Sequence, residues 1–476
     1  MRLAYALLTF GVLALFPGCG GDAPTAPSYV PTGLKASIFD HIKTFEICHD
    51  ALDDAETDFI ATHYDVFVGT GIRFPRVYET NPNILVLSYI LIRANSGVYF
   101  GPSCEIGEFC AETFAAAHGY DVEDFFLHYR EDVSYLWNFP DGGTQDVFVP
   151  GWNPEWQPGD PPASASAKSE SRVWGRWKAN QRWANVASRA WQHWRNEYLA
   201  HTMRKGNTVV DGVFVDGVVK IVGAMSHMML DKTIEYWGET VDAGFSMIDD
   251  HYSYMPVLRD FLEQELGEPK IVLGNAEASY YLASEPVNSG RFLERFDWLM
   301  VENGVRYDPY VTAATCSYDV QFQDVLGIGE LAASGRKILF GAKDNSESER
   351  GRIFILATFY LINHPNLYFC DHKGDLNWFD AIAQDVGEPL GSAYVWASGP
   401  DPARPASTYH IMAREYTNAL VLVKHRDSAS YFLYFGTETM HDLGGTYRAL
   451  SDDGTLGDPI TEIELRNNEA AILIPQ

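Results

Sequence analysis

Between about Ser37 and Asp371 the chain alternates short β-rich runs with longer helical stretches, a pattern that leaves few folds open. The runs are "ASIFDHI" from Ala36, "YDVFVG" from Tyr64, "ILVLSYILI" from Ile84, "GVFVD" from Gly212, "KIVLGN" from Lys270, "WLMVEN" from Trp298, "KILFGAKD" from Lys337 and "NLYFC" from Asn366. Several follow a glycine of the kind that ends a helix, as in "LGEPKIVLG" and "ASGRKILFG". Strands alternating with helices predict a parallel sheet, and eight such units in this length predict an α/β fold of the TIM (β/α)8 barrel type over residues 36–388.

One connection is far longer than a βα loop: residues 95–210, an insertion between the third and fourth strands. Eight of the twelve tryptophans lie in it, from Trp137 to Trp194, so it concentrates the side chains that stack on sugar rings. Ala187, Trp191, Trp194 and Tyr198 fall at helical spacing and predict the buried stripe of a helix from about Arg176 to Arg204. Trp152 and Trp156 sit instead in the proline- and glycine-rich "PGWNPEWQPGDPP", where substrate contact and loop packing are both open. After about Leu390 short alternating segments and turns predict an antiparallel β-sandwich domain over residues 389–476.

The N-terminus, "MRLAYALLTFGVLALFPGC", has one arginine, an apolar run too short to span a bilayer and a Gly-Cys end. "FPGC" resembles a bacterial lipobox, which predicts residues 1–19 as a lipoprotein signal with Cys19 lipidated, with ordinary signal cleavage nearby as the alternative. The tether "GGDAPTAPSYVPTG" follows, within residues 20–35. These features predict export and anchoring in the bacterial cell envelope, on the periplasmic or cell-surface side. Cys104 and Cys110, in "CEIGEFC", suit a disulfide in an exported protein, and their spacing also permits two unpaired thiols. The net charge of −29 argues against nucleic acid and leaves neutral or basic substrates open.

Catalytic groups of a TIM barrel sit at the C-terminal ends of its strands. Here the fourth strand ends at Asp216, the fifth is followed by Asn275 and Glu277, and the sixth ends at Glu302 and Asn303. The seventh ends at Asp344, and the eighth at Asp371 and His372. Two carboxylates across a cleft are what glycosidic hydrolysis requires, one to protonate the leaving oxygen and one to attack the sugar or activate water. There is no P-loop, no GxGxxG after a strand, no GxSxG elbow and no HExxH. "DDHY", from Asp249 to Tyr252, reads as a polar helix face rather than a metal site. No cofactor or metal is expected. Asp211, at the opposite end of the fourth strand, belongs to stability rather than chemistry.

"GVFVDGV" at the fourth strand, "VEN" at the sixth, "KDNS" at the seventh, the exported N-terminus and the small C-terminal β-domain together resemble the hypothetical glycosyl hydrolase TIM-barrel families. These are relatives of the polygalactosaminidases and of the wider clan with an aspartate on strand four. The resemblance implies a catalytic aspartate at Asp216 and an acid at Glu302. Amylase-like barrels offer a second layout matching Asp216, Glu277 and Asp344, but they carry an arginine two residues before the nucleophile, where this chain has Phe214. Glu302 therefore ranks above Glu277 as acid. Glu277, Asp344 and Asp371 would then bind sugar hydroxyls, with Asn275, Asn303, Trp152 and Trp156 as further substrate contacts. The expected activity is cleavage of O-glycosidic bonds in a poly- or oligosaccharide. The alternative is a surface lipoprotein that binds glycan without cleaving it.

Overall fold

In the computed structural model the described residues are 37–48, 52–69, 73–92, 94–96, 104, 106–126, 181–205, 208–216, 234–236, 239–241, 243–276, 293–307, 322–372, 376–402, 404–425 and 439–476. Cys19, Trp152, Trp156 and Glu277, with the proposed signal and tether, lie outside them. Eight strands form one sheet in chain order: β1 (Phe45–Ile47), β2 (Val66–Gly69), β3 (Leu85–Leu91), β4 (Gly212–Asp216), β5 (Ile271–Asn275), β6 (Trp298–Tyr307), β7 (Lys337–Asp344) and β8 (Leu367–Asp371). Every neighbouring pair is parallel. Thr44 bridges Phe369, and the Phe369 N–H donates to the Lys43 carbonyl at 2.8 Å, so β1 meets β8 and the sheet closes into a (β/α)8 barrel.

These strands carry apolar residues on both faces because both faces are covered. Inward-facing Phe45, Val68, Leu87, Phe214, Met300 and Leu339 fill the barrel. Outward-facing Val86, Val213, Val272, Val301 and Phe340 join the core beneath the helices. The helices among the described residues are α1 (Asp54–His63), α2 (Phe74–Thr80), α3 (Ala111–His118), α4 (Arg189–Met203), α5 (Ala243–Leu266), α6 (Phe322–Ala333) and α7 (Glu349–Ile362). α1 shows how local sequence sets an end: the Asp53 carboxylate accepts the Glu56 N–H at 2.8 Å, and the Glu56 carboxylate accepts the Asp53 N–H at 2.7 Å.

The first strand begins later than "ASIFDHI" suggests. The Ile38 N–H donates to Asp65 Oδ1 at 2.8 Å, so this segment bends over a carboxylate instead of pairing with a strand. Asp65 belongs to a device used three times at the N-terminal end of the barrel. Asp65, Asp211 and Asp297 each stand one residue before β2, β4 or β6. Each accepts an N–H from the start of the preceding strand: Thr44 at 2.8 Å, Val86 at 2.8 Å and Val272 at 2.9 Å. Burial raises the Asp65 carboxyl above its ordinary range, opposed by these hydrogen bonds. Asp211 also accepts the Tyr78 hydroxyl at 2.6 Å. Asp211→Ala should therefore lose about 2–4 kcal/mol in urea unfolding, since it strands a half-buried hydroxyl and a strand N–H together. A loss below about 0.5 kcal/mol would contradict this role.

The insertion docks on the barrel through α4. Trp191 and Trp194 are fully buried; Trp194 Nε1 donates to the Phe109 carbonyl at 2.9 Å, and Trp191 packs edge-on against Tyr254 of α5. The helix is shorter than the stripe suggested. It starts at Arg189 because Ser188 caps it, its hydroxyl accepting the Trp191 N–H at 3.3 Å. Gln181–Trp183 is instead a strand paired with Ala94–Ser96, and Ala187 is exposed ahead of the cap. Cys104 and Cys110 form a disulfide. "DDHY" lies on α5, where Tyr252 is buried.

The C-terminal strands are β9 (Tyr394–Asp401), β10 (Arg404–Glu415), β11 (Leu420–Lys424), β12 (Thr439–Leu450), β13 (Leu456–Leu465) and β14 (Glu469–Pro475). They form one antiparallel sheet ordered β9-β10-β11-β14-β12-β13. The two layers expected of a sandwich come from this single sheet curling around Ile411, Leu422, Leu443, Leu465 and Leu473. Its other face, with Met412, Val421, Val423 and Ile472, shares the core of α7. Arg414 Nη1 donates to the carbonyls of Tyr360, Leu361 and Asn363 at 3.2, 3.3 and 2.8 Å, and the Tyr416 hydroxyl donates to Tyr360 O at 2.6 Å. The carbonyls that the end of α7 leaves open are thus taken up by the β-sheet.

Candidate active site

Strand periodicity decides which strand-end residues reach the barrel mouth. Tyr89 follows inward-facing Leu87 by two residues, Asp216 follows Phe214, Asn275 follows Leu273, Glu302 follows Met300 and His372 follows Cys370, so all five share the inner face. Their side chains converge. The Tyr89 hydroxyl donates to Asp216 Oδ2 at 2.6 Å, and Asn275 Nδ2 donates to Asp216 Oδ1 at 2.9 Å. The same Nδ2 donates to Glu302 Oε2 at 3.0 Å. His372 Nε2 stands 3.8 Å from Glu302 Oε1.

Two carboxylate oxygens on one nitrogen identify that atom as the NH2 of the Asn275 amide, each hydrogen serving one acid. The two oxygens lie no more than 2.9 plus 3.0 Å apart. With amide hydrogens diverging by about 120°, the separation is about 5 Å. Asn275 is only 2% exposed, whereas Asp216 and Glu302 are half-buried and open toward the mouth.

Glu302 does not end its strand. β6 runs on to Tyr307, and Glu302 lies in a bulge: Val301 pairs with Phe340 and Val305 with Ala342, so Glu302, Asn303 and Gly304 face the single residue Gly341. A bulge re-aims a side chain, and this one is held by glycines. A Cβ on Gly341 would stand 2.8 Å from the Glu302 carbonyl oxygen, and one on Gly304 would stand 2.4 Å from the Phe340 ring. Asn303 is part of the bulge by its backbone.

Asp344 and Asp371 do not join the inner group. They have the parity of Ala342 and Phe369, which pack in the outer core, and are 0% and 4% exposed. Asp344 Oδ1 accepts the Ser346 N–H and hydroxyl at 2.9 and 2.6 Å, and Oδ2 accepts the Ser348 N–H at 3.1 Å. Asp371 Oδ1 accepts the Asp344 N–H at 3.2 Å. Asp344 thus anchors the turn into α7, where a carboxylate meets the positive end of a helix. Gly351 makes room for it, since a Cβ there would lie 2.2 Å from Asp344 Oδ1. The strand-end rule alone, without parity, does not separate these two acids from the inner group.

Tyr89 escaped the sequence reading. Its signal is the tyrosine inside "ILVLSYILI" at the inward parity near the strand's end, where the run's other hydroxyl, Ser88, has the outward parity. Among the described residues no group of three or more histidines, cysteines and acids is arranged to hold a metal.

The parallel sheet closed on itself is a (β/α)8 barrel, and Asp216, Asn275 and Glu302 come together at the C-terminal end of its strands. The chain belongs to the hypothetical glycosyl hydrolase family 15, whose family model matches residues 127–420 and so takes in Asp216, Asn275, Glu302 and His372. No curated protein matches it. Similar solved structures include α-L-fucosidase isoenzyme 2 from Paenibacillus thiaminolyticus, at 11% identity, with 70% of this chain and 46% of that one covered and a TM-score of 0.36. The α-galactosidase AgaA from Geobacillus stearothermophilus is 9% identical, with 94% and 57% covered and a TM-score of 0.39. A family 30 subfamily 8 xylanase from Clostridium acetobutylicum is 11% identical, with 91% and 96% covered and a TM-score of 0.31. The chain spans about half the length of the fucosidase and the galactosidase. No residue role is carried over from any of the three.

Proposed function

We propose that this protein is an exported glycoside hydrolase that cleaves O-glycosidic bonds of a poly- or oligosaccharide with retention of anomeric configuration. The observation that carries the reading is the single Asn275 nitrogen shared by Asp216 and Glu302. A spacing of about 5 Å between their oxygens suits a nucleophile and an acid/base on one glycosidic bond, for which carboxyl groups stand about 5–5.5 Å apart. Inverting pairs need about 6.5–9.5 Å to admit a water.

In the first step Glu302, in its acid form, gives its proton to the glycosidic oxygen while Asp216 attacks the anomeric carbon. The C–O bond to the leaving group breaks, the leaving group departs as an alcohol, and a covalent glycosyl ester forms on Asp216. In the second step the Glu302 carboxylate takes a proton from water, the water oxygen attacks the same carbon and the ester bond breaks. Asp216 is left ionised and Glu302 protonated, ready for another turn. Export and anchoring rest on the N-terminal run and Cys19, and the net charge of −29 favours neutral or basic glycans. Glu277, Trp152 and Trp156 remain candidates for sugar contact.

The test is a reducing-sugar screen on bacterial, plant and algal polysaccharides, using the form that begins after Cys19. Reducing ends should appear with the parent protein and not with Asp216→Asn. Glycan binding with no reducing ends on any polymer would instead mark a binding lipoprotein.

A further inference from the structure

We propose that Asn275 is a positioning residue that holds the two acids at a fixed spacing and fixes which oxygen of Glu302 carries the proton. The inference rests on the retaining reading and extends it to a residue that the two-step chemistry does not itself require.

Both hydrogens of the Asn275 amide are committed, one to Asp216 Oδ1 and one to Glu302 Oε2. A protonated carboxyl oxygen is the poorer acceptor, so an amide hydrogen aimed at Oε2 leaves the acid proton on Oε1. Oε1 lies on the side of His372, whose Nε2 is 3.8 Å away. The leaving oxygen is therefore met on the His372 side of Glu302, and the anomeric carbon on the side of Asp216 and Tyr89. Asp216 has donors on both oxygens, which favours its ionised form. When Asp216 becomes an ester it loses its charge. The hydrogen bond to Oε2 persists and keeps Glu302 in place for the second step.

Among the described residues, Tyr89 from β3 and His372 from β8 are the titratable groups seen beside the two acids. Asn275 differs from these in being uncharged. Its removal changes hydrogen bonding to the two acids without changing the net charge of the mouth.

The test compares Asn275→Ala and the near-isosteric Asn275→Asp with the parent, on a glycan the parent cleaves. Asn275→Ala should lower kcat/KM by about 10- to 100-fold, the size of a lost hydrogen bond to a charged group. The acidic limb of its pH–rate profile, where Asp216 must be ionised to attack, should move to higher pH, because that carboxylate has lost an N–H that favoured its ionised form. Asn275→Asp should be slower still, since a third carboxylate would repel both acids. A profile records ratios of rates, so it reads the role even if part of a variant is unfolded. An unmoved profile with either variant would overturn the proposal and leave the retaining pair standing. A parent that releases no reducing ends would instead remove the reading beneath it.

Discussion

Replacing Asp216 by asparagine is expected to abolish turnover, with kcat/KM falling at least about 10⁴-fold while the fold is retained. The amide that replaces the carboxylate has nearly the same shape. Its oxygen can keep the Asn275 hydrogen bond, and its NH2 can donate to the Tyr89 hydroxyl, which accepts as readily as it donates. The thermal midpoint should therefore move little. What is lost is the charge and nucleophilicity needed at the anomeric carbon. With Asp216→Ala, added azide should restore part of the rate by attacking from the vacated side and should yield a glycosyl azide of inverted configuration. Activity of Asp216→Asn within about tenfold of the parent would remove Asp216 from the chemistry.

Glu302→Ala should separate the two steps. On an unactivated glycan, loss of general acid catalysis should cost about 10²–10⁴-fold. On an aryl glycoside of the same sugar, whose leaving group departs without a proton, the first step should proceed and the ester on Asp216 should accumulate. A burst of released aryl alcohol followed by slow turnover is the expected trace, because the second step has lost its base. Azide should accelerate the slow phase and give a product of retained configuration. If activated and unactivated substrates suffer equally, Glu302 is not the acid, and Glu277 becomes the residue to replace.

Much of the barrel was legible because its strands are short apolar runs, two of them entered from glycine turns, and seven of the eight fall where those runs lie. The first did not, because Asp65 takes up the N–H groups of Ile38 and Thr44, a contact between segments far apart in sequence. The row of strand-end carboxylates was visible, but its parts divide by parity. Asp216 and Glu302 have an even offset from core residues inside the barrel, whereas Asp344 and Asp371 align with the outer face and are consumed there. That division could have been counted from the sequence. The bulge at Glu302 could not, since it depends on Gly304 and Gly341 standing on neighbouring strands. Nor could the Asn275 bridge, which joins side chains from three strands. Asp211, set aside as structural, proved one of three aspartates that bind successive strand pairs at the far end of the barrel.

The close pairing of Asp216 and Glu302 across one amide is the centre of this account, and the stereochemistry of the first-formed product tests it most directly. Proton NMR of a cleavage reaction, recorded before mutarotation, should show the released reducing sugar with the anomeric configuration of the bond that was cut. Release of the opposite anomer would mean that water attacks directly, and would contradict an Asp216 nucleophile held about 5 Å from its acid.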